Sequence, residues 1–338
     1  MAVGNQELAA QLSALAGRGT RSLAVALIDV GVSPTTRFAY IGAEAETRFE
    51  IGSITKALTG MLLADAVERG EVSMESKIST ILNNSSDSEF GSITVKELCT
   101  HTSGLPRLPR NHLTFVRAMQ FLVLGSDPYR GSTSSEVLRL ASRQRLRHRG
   151  QRRYSNLGAA VLGQLLANAA STDYASLLRE RIFLPIGMKS STVANPNETA
   201  PHGWSSAGLR RAPWIMDGYA PAGGVISTIN DMSLLVTALL DGSAPGRDAV
   251  IPIDGVESDG PNRATGMFWI IDTLPRIERT MTWHSGQTGG HSALLALFLQ
   301  TGRSVVVLAN VARGNEQGRT ALSLMRWFVA QGLSPPDI

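Results

Sequence analysis

Apolar positions along this chain change period several times, and each change predicts an element. Residues Glu7 to Ala16 carry apolar side chains at helical spacing and predict an amphipathic helix. The run Ser22 to Val30 is almost continuously apolar, reads as a buried strand and ends at Gly31. Arg37 to Gly42 predicts a partner strand across a short turn. A strongly apolar helical run follows Ser53 and stops at Gly70, a residue suited to the left-handed backbone that ends helices. From about residue 72 to 215 the pattern is mostly helical and loop-like. Strand patterns return at Gly266 to Thr273, Thr280 to His284, Ser292 to Leu299 and Arg303 to Asn310, and a last amphipathic helix is expected over Thr320 to Gln331. Strands at both ends around a helical middle predict an α/β (α+β) molecule: one discontinuous α/β domain, residues 1–70 and 216–338, and an inserted, mostly helical domain, 71–215. We find no internal repeat and no low-complexity linker.

Composition narrows the function classes. With 338 residues, 43% of them hydrophobic, the chain is ample for a sizeable core. A net charge of +4 argues only weakly for a polyanionic partner, and no nucleic-acid recognition motif is present. The single cysteine, Cys99, excludes an intramolecular disulfide and sits in an apolar context that suits a structural role. No stretch approaches twenty apolar residues, so no membrane span is expected. The N-terminal segment lacks an apolar signal-like core, and the expected location is the cytoplasm. His112, His148, His202 and His291 show no metal-ligand spacing, so neither metal nor cofactor is implied.

The chemistry is concentrated in three short motifs. Ser53-Ile54-Thr55-Lys56 opens the apolar helix, placing a hydroxyl and an amine about one turn apart on one face. It also puts the serine where backbone N–H groups lack intrahelical partners. A serine hydroxyl needs a neighbouring base to become nucleophilic, and this spacing supplies one. Tyr154-Ser155-Asn156 begins a second helical run, NLGAAVLGQLLANAA. His284-Ser285-Gly286 lies between two apolar strand-like runs. In this order the three motifs resemble the S-x-x-K, S-D-N and K-T-G signatures of serine β-lactamases and penicillin-binding proteins. The likeness is to the Tyr-x-Asn branch, which holds class C β-lactamases, DD-peptidases, D-aminopeptidases and related esterases and transacylases. Thr100 to Pro106, Arg181 to Met188, and Pro221 to Gly224 with Ser227-Thr228 are similar to further segments of that family, in its order, over roughly residues 20 to 330.

The resemblance implies a β-lactamase/transpeptidase-like fold: an antiparallel sheet flanked by helices, an inserted helical domain, and an active site in the cleft between. It assigns Ser53 as nucleophile, Lys56 as its base partner and Tyr154 as general base or proton shuttle. Asn156 is expected to hold Lys56 and to bond a substrate carbonyl, with a helix cap as its plain structural alternative. Gln287, after Ser285 and Gly286, offers a second oxyanion N–H beside that of Ser53. His284 stands where the third motif usually has lysine. A histidine there, charged only part of the time near neutrality, is expected to grip a substrate carboxylate less firmly and to tilt the enzyme toward esters. His101 reads as part of a structural turn.

The chain departs from the family just before Tyr154. Six arginines crowd residues 143–153, no proline is present, and only three residues separate Gly150 from Tyr154. The arginines are either a solvated face or a rim attracting an anionic small-molecule acyl substrate. The expected function is a serine hydrolase acting through an acyl-enzyme on an ester or amide. The alternatives are a transacylase using an amine or alcohol in secondary-metabolite biosynthesis, a β-lactamase or D-peptidase, and a non-catalytic binding module. Oligomeric state is not legible.

Overall fold

The computed structural model describes residues 2–15, 21–83, 88–195, 201–256, 260–275, 279–312 and Ser323. Its main sheet has eight strands, and every neighbouring pair is antiparallel. From edge to edge they are Val3–Gly4, Thr35–Ile41, Leu23–Asp29, Arg303–Ala309, Ser292–Phe298, Arg279–Gln287, Ile270–Leu274 and Arg263–Thr265. Strands from near both ends of the chain therefore lie side by side. Leu23–Asp29 is apolar at nearly every position because both sheet faces are covered. Val25 and Leu27 face the helix Gln6–Leu15 through Leu8 and Leu12. Ala24, Ala26 and Ile28 face the main core with Leu295, Leu297, Val306 and Leu308.

The helix Ile54–Glu68 crosses that second face and is buried at thirteen of its fifteen positions. A helix apolar on all sides belongs at the centre of a core. Gly60 makes this possible: a Cβ there would stand 2.0 Å from the Met267 carbonyl oxygen. The C-terminal stop falls as expected, with Gly70 at φ +71°. The helix Asn156–Ala169 packs alongside through Leu157, Val161 and Leu165.

Two expectations change. The stretch Gly266 to Thr273 is not one strand but the turn and second arm of a hairpin, Arg263–Thr265 with Ile270–Leu274. Between them Phe268 has φ 64°, and the Phe268 and Met267 N–H groups bond to Cys99 and Ala249 carbonyls instead of a ladder. The middle of the chain also holds strand: Gly203–Ser205 pairs with Arg210–Arg211 and, in parallel, with Val311–Ala312. Thr192–Val193 and Phe49–Glu50 flank Val225–Ser227 in another small sheet. The helix expected over Thr320 to Gln331 lies outside the described residues, Ser323 aside.

Candidate active site

Ser53 takes the N-cap position of the central helix with helical dihedrals and no side-chain capping bond, leaving its hydroxyl free for chemistry. Lys56, one turn on, is fully buried. Its Nζ lies 3.2 Å from Ser53 Oγ and also donates to the Ala222 carbonyl. Burial pushes the Lys56 ammonium below its usual range; Tyr154 opposes this and Arg107 adds to it. Tyr154 Oη sits 2.6 Å from Ser53 Oγ, and Lys56 Nζ is 4.7 Å from the tyrosine ring centroid. Despite the shortened, proline-free approach, the tyrosine reaches the serine.

The reason is local. The Arg153 N–H bonds to the His101 carbonyl and the Gly150 N–H to that of Thr102, pinning the approach to the 100–105 turn. His101 has φ 63°, is buried, and its ring lies tilted against that of Tyr154, with centroids 4.8 Å apart. Its Nδ1 accepts the Ser155 N–H, which requires an unprotonated nitrogen there. Burial, then Lys56, Arg152 and His284, hold the His101 pKa well below the usual histidine value. The 100–105 segment is thus the structural turn expected, and it sets where the tyrosine stands.

His284 is also buried, and its pKa is pushed down to about 3 by burial first and then by Lys56. Burial therefore favours the neutral imidazole of His284, against the expectation of partial charge. Its Nδ1 bonds the Ser285 carbonyl at 2.7 Å, so Nδ1 carries the proton and Nε2 is left as an acceptor.

Asn156 departs from one part of its expected role, the grip on Lys56. Its Nδ2 donates to Tyr129 Oη at 3.0 Å, its buried Oδ1 has no partner, and no hydrogen bond joins it to Lys56. The Ala222 carbonyl holds Lys56 instead. Asn156 is not the cap either, since Ser155 accepts the Gly158 N–H at 2.8 Å.

Gly286 and Gln287 lie at the end of strand Arg279–Gln287. Their neighbour Thr288 donates its N–H to the His291 carbonyl. Antiparallel alternation therefore turns the Gln287 N–H the other way, off the ladder. Ser285 and Gln287 expose their side chains, and Gly286 faces inward. The backbones touch: a Cβ on Gly286 would fall 1.8 Å from the Ile51 oxygen and 2.9 Å from the Ser53 nitrogen, and one on Gly52 2.6 Å from the Gln287 nitrogen. This places the Ser53 and Gln287 N–H groups side by side. Behind them, buried Glu50 receives bonds from Thr288 Oγ1, from the Trp214 N–H at 2.6 Å and from His291 Nδ1 at 3.0 Å. That knot fixes the 287–291 turn to the strand leading into Ser53. Sequence reasoning missed Glu50 and His291, whose only signal was a carboxylate in an otherwise apolar approach to Ser53.

Cys99 is buried, its thiol pushed up to about 12 by desolvation, in keeping with a structural role. Among the described residues no helix is long and apolar enough to cross a membrane.

A family model described as Beta-lactamase matches residues 8–326. A "Beta-lactamase-like protein" of Arthroderma benhamiae is 29% identical over 225 residues, 59% of this chain and 36% of that protein. "Penicillin-binding protein 4*" of Bacillus subtilis is 21% identical over 300 residues, 81% of this chain and 63% of that one. The chain thus spans less than two thirds of each. A class C beta lactamase from Rhodobacter sphaeroides has a similar fold, with a TM-score of 0.79 at 20% identity over 96% of this chain and 100% of that one.

Proposed function

The chain belongs to the Beta-lactamase family, and we propose that it is a serine hydrolase acting through an acyl-enzyme on small esters. The observation that carries this reading is the contact of Ser53 Oγ with both Tyr154 Oη, at 2.6 Å, and Lys56 Nζ, at 3.2 Å. Ser53 Oγ attacks the carbonyl carbon, and its proton passes to the Tyr154–Lys56 pair. Tyr154 returns a proton to the departing alcohol as the carbonyl–oxygen bond breaks. The Ser53 and Gln287 N–H groups hold the oxyanion, the electrostatic contribution that commonly dominates acyl transfer. Water then releases the acid by the same groups in reverse.

Neutral His284 supports esters over β-lactams and D-peptides, because it brings no cation to a substrate carboxylate. The cavity of about 540 Å³ lined in part by Tyr154 favours a second reading, transfer of the acyl group to an alcohol seated there, or to an amine whose molecule also carries an anionic group. A neutral-ester assay tests the proposal. Short-chain p-nitrophenyl esters should be turned over, and Tyr154→Phe should lower kcat by about 10²–10⁴-fold, the usual range for a lost proton-transfer group. Equal rates in wild type, Ser53→Ala and Tyr154→Phe would overturn it.

A further inference from the structure

We propose that the cavity beside Tyr154 is an anion subsite that seats the phosphorylated part of a substrate, a diphosphate or nucleotide group. Its walls are Gly104, Leu105, Pro106 and Leu108 with Arg107, Arg110, Arg145, Arg147, Arg153, His148 and Tyr154. Five arginines therefore line one concavity of about 540 Å³, and no acidic residue is among its walls. Among the described residues none of the five is ion-paired, whereas neighbouring Arg149 points away and is held by Glu97 and Ser92. Like charges gathered without a protein counter-ion repel, so the pocket is electrostatically poised for an anion. Arginine suits phosphate, since its planar fork makes paired bonds to phosphate oxygens.

The frame is built as well as charged. The Arg147 N–H bonds to the Gly104 carbonyl, the Gly150 N–H to Thr102 and the Arg153 N–H to His101. The Arg110 N–H bonds to Gln144 Oε1 at 3.0 Å. Gly104 has φ +78°, and a Cβ there would meet the Arg147 oxygen at 3.1 Å, so the arginine loop lies directly on the 100–105 turn. The same turn places Tyr154, and Arg107 Cζ is 5.6 Å from the Tyr154 ring centroid. A phosphorylated group in the cavity would therefore lie beside Tyr154, the one proposed catalytic residue among its walls. The concave shape and its opening on Tyr154 fit a small molecule better than a flat anionic surface.

The link to turnover rests on the proposed hydrolase reading, but binding can be measured without it. Calorimetric titration of the full chain, and of Ser53→Ala, with inorganic pyrophosphate and with ADP should show saturable binding that weakens as salt rises. Arg145→Gln/Arg147→Gln, both exposed loop positions, should weaken it by about tenfold or more while leaving the unfolding temperature unchanged. Arg153→Gln provides an independent second variant with the same expected direction. Absence of binding, or affinity unaltered in these variants, would overturn the proposal. So would arginine-dependent cosedimentation with phosphatidylglycerol vesicles when neither pyrophosphate nor ADP binds, since that outcome identifies a membrane face. If the chain hydrolyses no ester but binds pyrophosphate through these arginines, the subsite stands and the hydrolase reading falls.

Discussion

Lys56 and His284 are both buried, and burial acts on each in the same sense: it disfavours the cation. For Lys56 this raises the fraction of free amine available near neutrality, which a proton acceptor for Ser53 needs. The alkaline rise of acylation rate with pH should therefore have its midpoint below the ordinary lysine value of about 10.4, and a midpoint at or above it would count against Lys56 as acceptor. For His284 the folded pKa, about 3, lies beneath the unfolded value of about 6.5. Above the unfolded value both states are neutral and pH has no effect through this residue. Below it the unfolded chain takes up the proton first, so stability falls with acidification between the two values, at up to about 1.4 kcal/mol per pH unit. His284→Gln should flatten that limb in denaturant titrations at pH 4 to 6; an unchanged slope would show that His284 is not buried neutral. His284→Lys should raise kcat/KM for carboxylate-bearing esters relative to neutral ones, and an unaltered preference would remove His284 from the specificity argument.

The elements matter because the site is assembled where two of them nearly touch. Gly286 lies against Ile51 and Ser53, and Gly52 against Gln287, with no room for a side chain between. Gly286→Ala forces the strand end away from the helix start. We expect a loss of stability of about 1–3 kcal/mol, the usual cost of overpacking, together with a fall in kcat of at least about tenfold as the two N–H groups separate. Chemical denaturation and ester turnover measured on one preparation check both halves. The signals for these elements were strong in the sequence: an apolar run after Ser53 long enough only for a helix, and continuous apolar runs that only a doubly covered sheet accommodates. The hairpin at Gly266 was not legible, because its break is set by backbone bonds to Cys99 and Ala249, far away in the chain. The expected Asn156–Lys56 bond failed for a similar reason. The Ala222 carbonyl takes the Lys56 Nζ bond, while Tyr129 takes Asn156 Nδ2 and leaves Oδ1 without a partner.

In the whole molecule, the sheet separates stability from chemistry. The helix Gln6–Leu15 lies on the face opposite the helix that carries Ser53, with Leu8 and Leu12 fully buried among Val25, Leu27, Val305 and Val307. Leu12→Ala should cost about 2–5 kcal/mol by cavity formation, yet leave kcat/KM unchanged below the unfolding transition. A proportionate loss of activity would mean that the two faces are coupled. The order of motifs along the chain revealed the family, and the tertiary structure brings Ser53, Lys56, Tyr154 and Gln287 together as that order implied. The state of His284 and the pinning of the arginine loop were not legible, because burial and long-range backbone bonds decide them. The central claim is that Ser53 is acylated, and the most direct measurement is intact-protein mass after brief mixing with a short-chain p-nitrophenyl ester and, separately, a chromogenic cephalosporin. The account predicts a gain of one acyl group from the ester in the wild type, absent in Ser53→Ala, and a lesser or no adduct from the cephalosporin. No adduct during measurable hydrolysis, or an adduct that persists in Ser53→Ala, would contradict it.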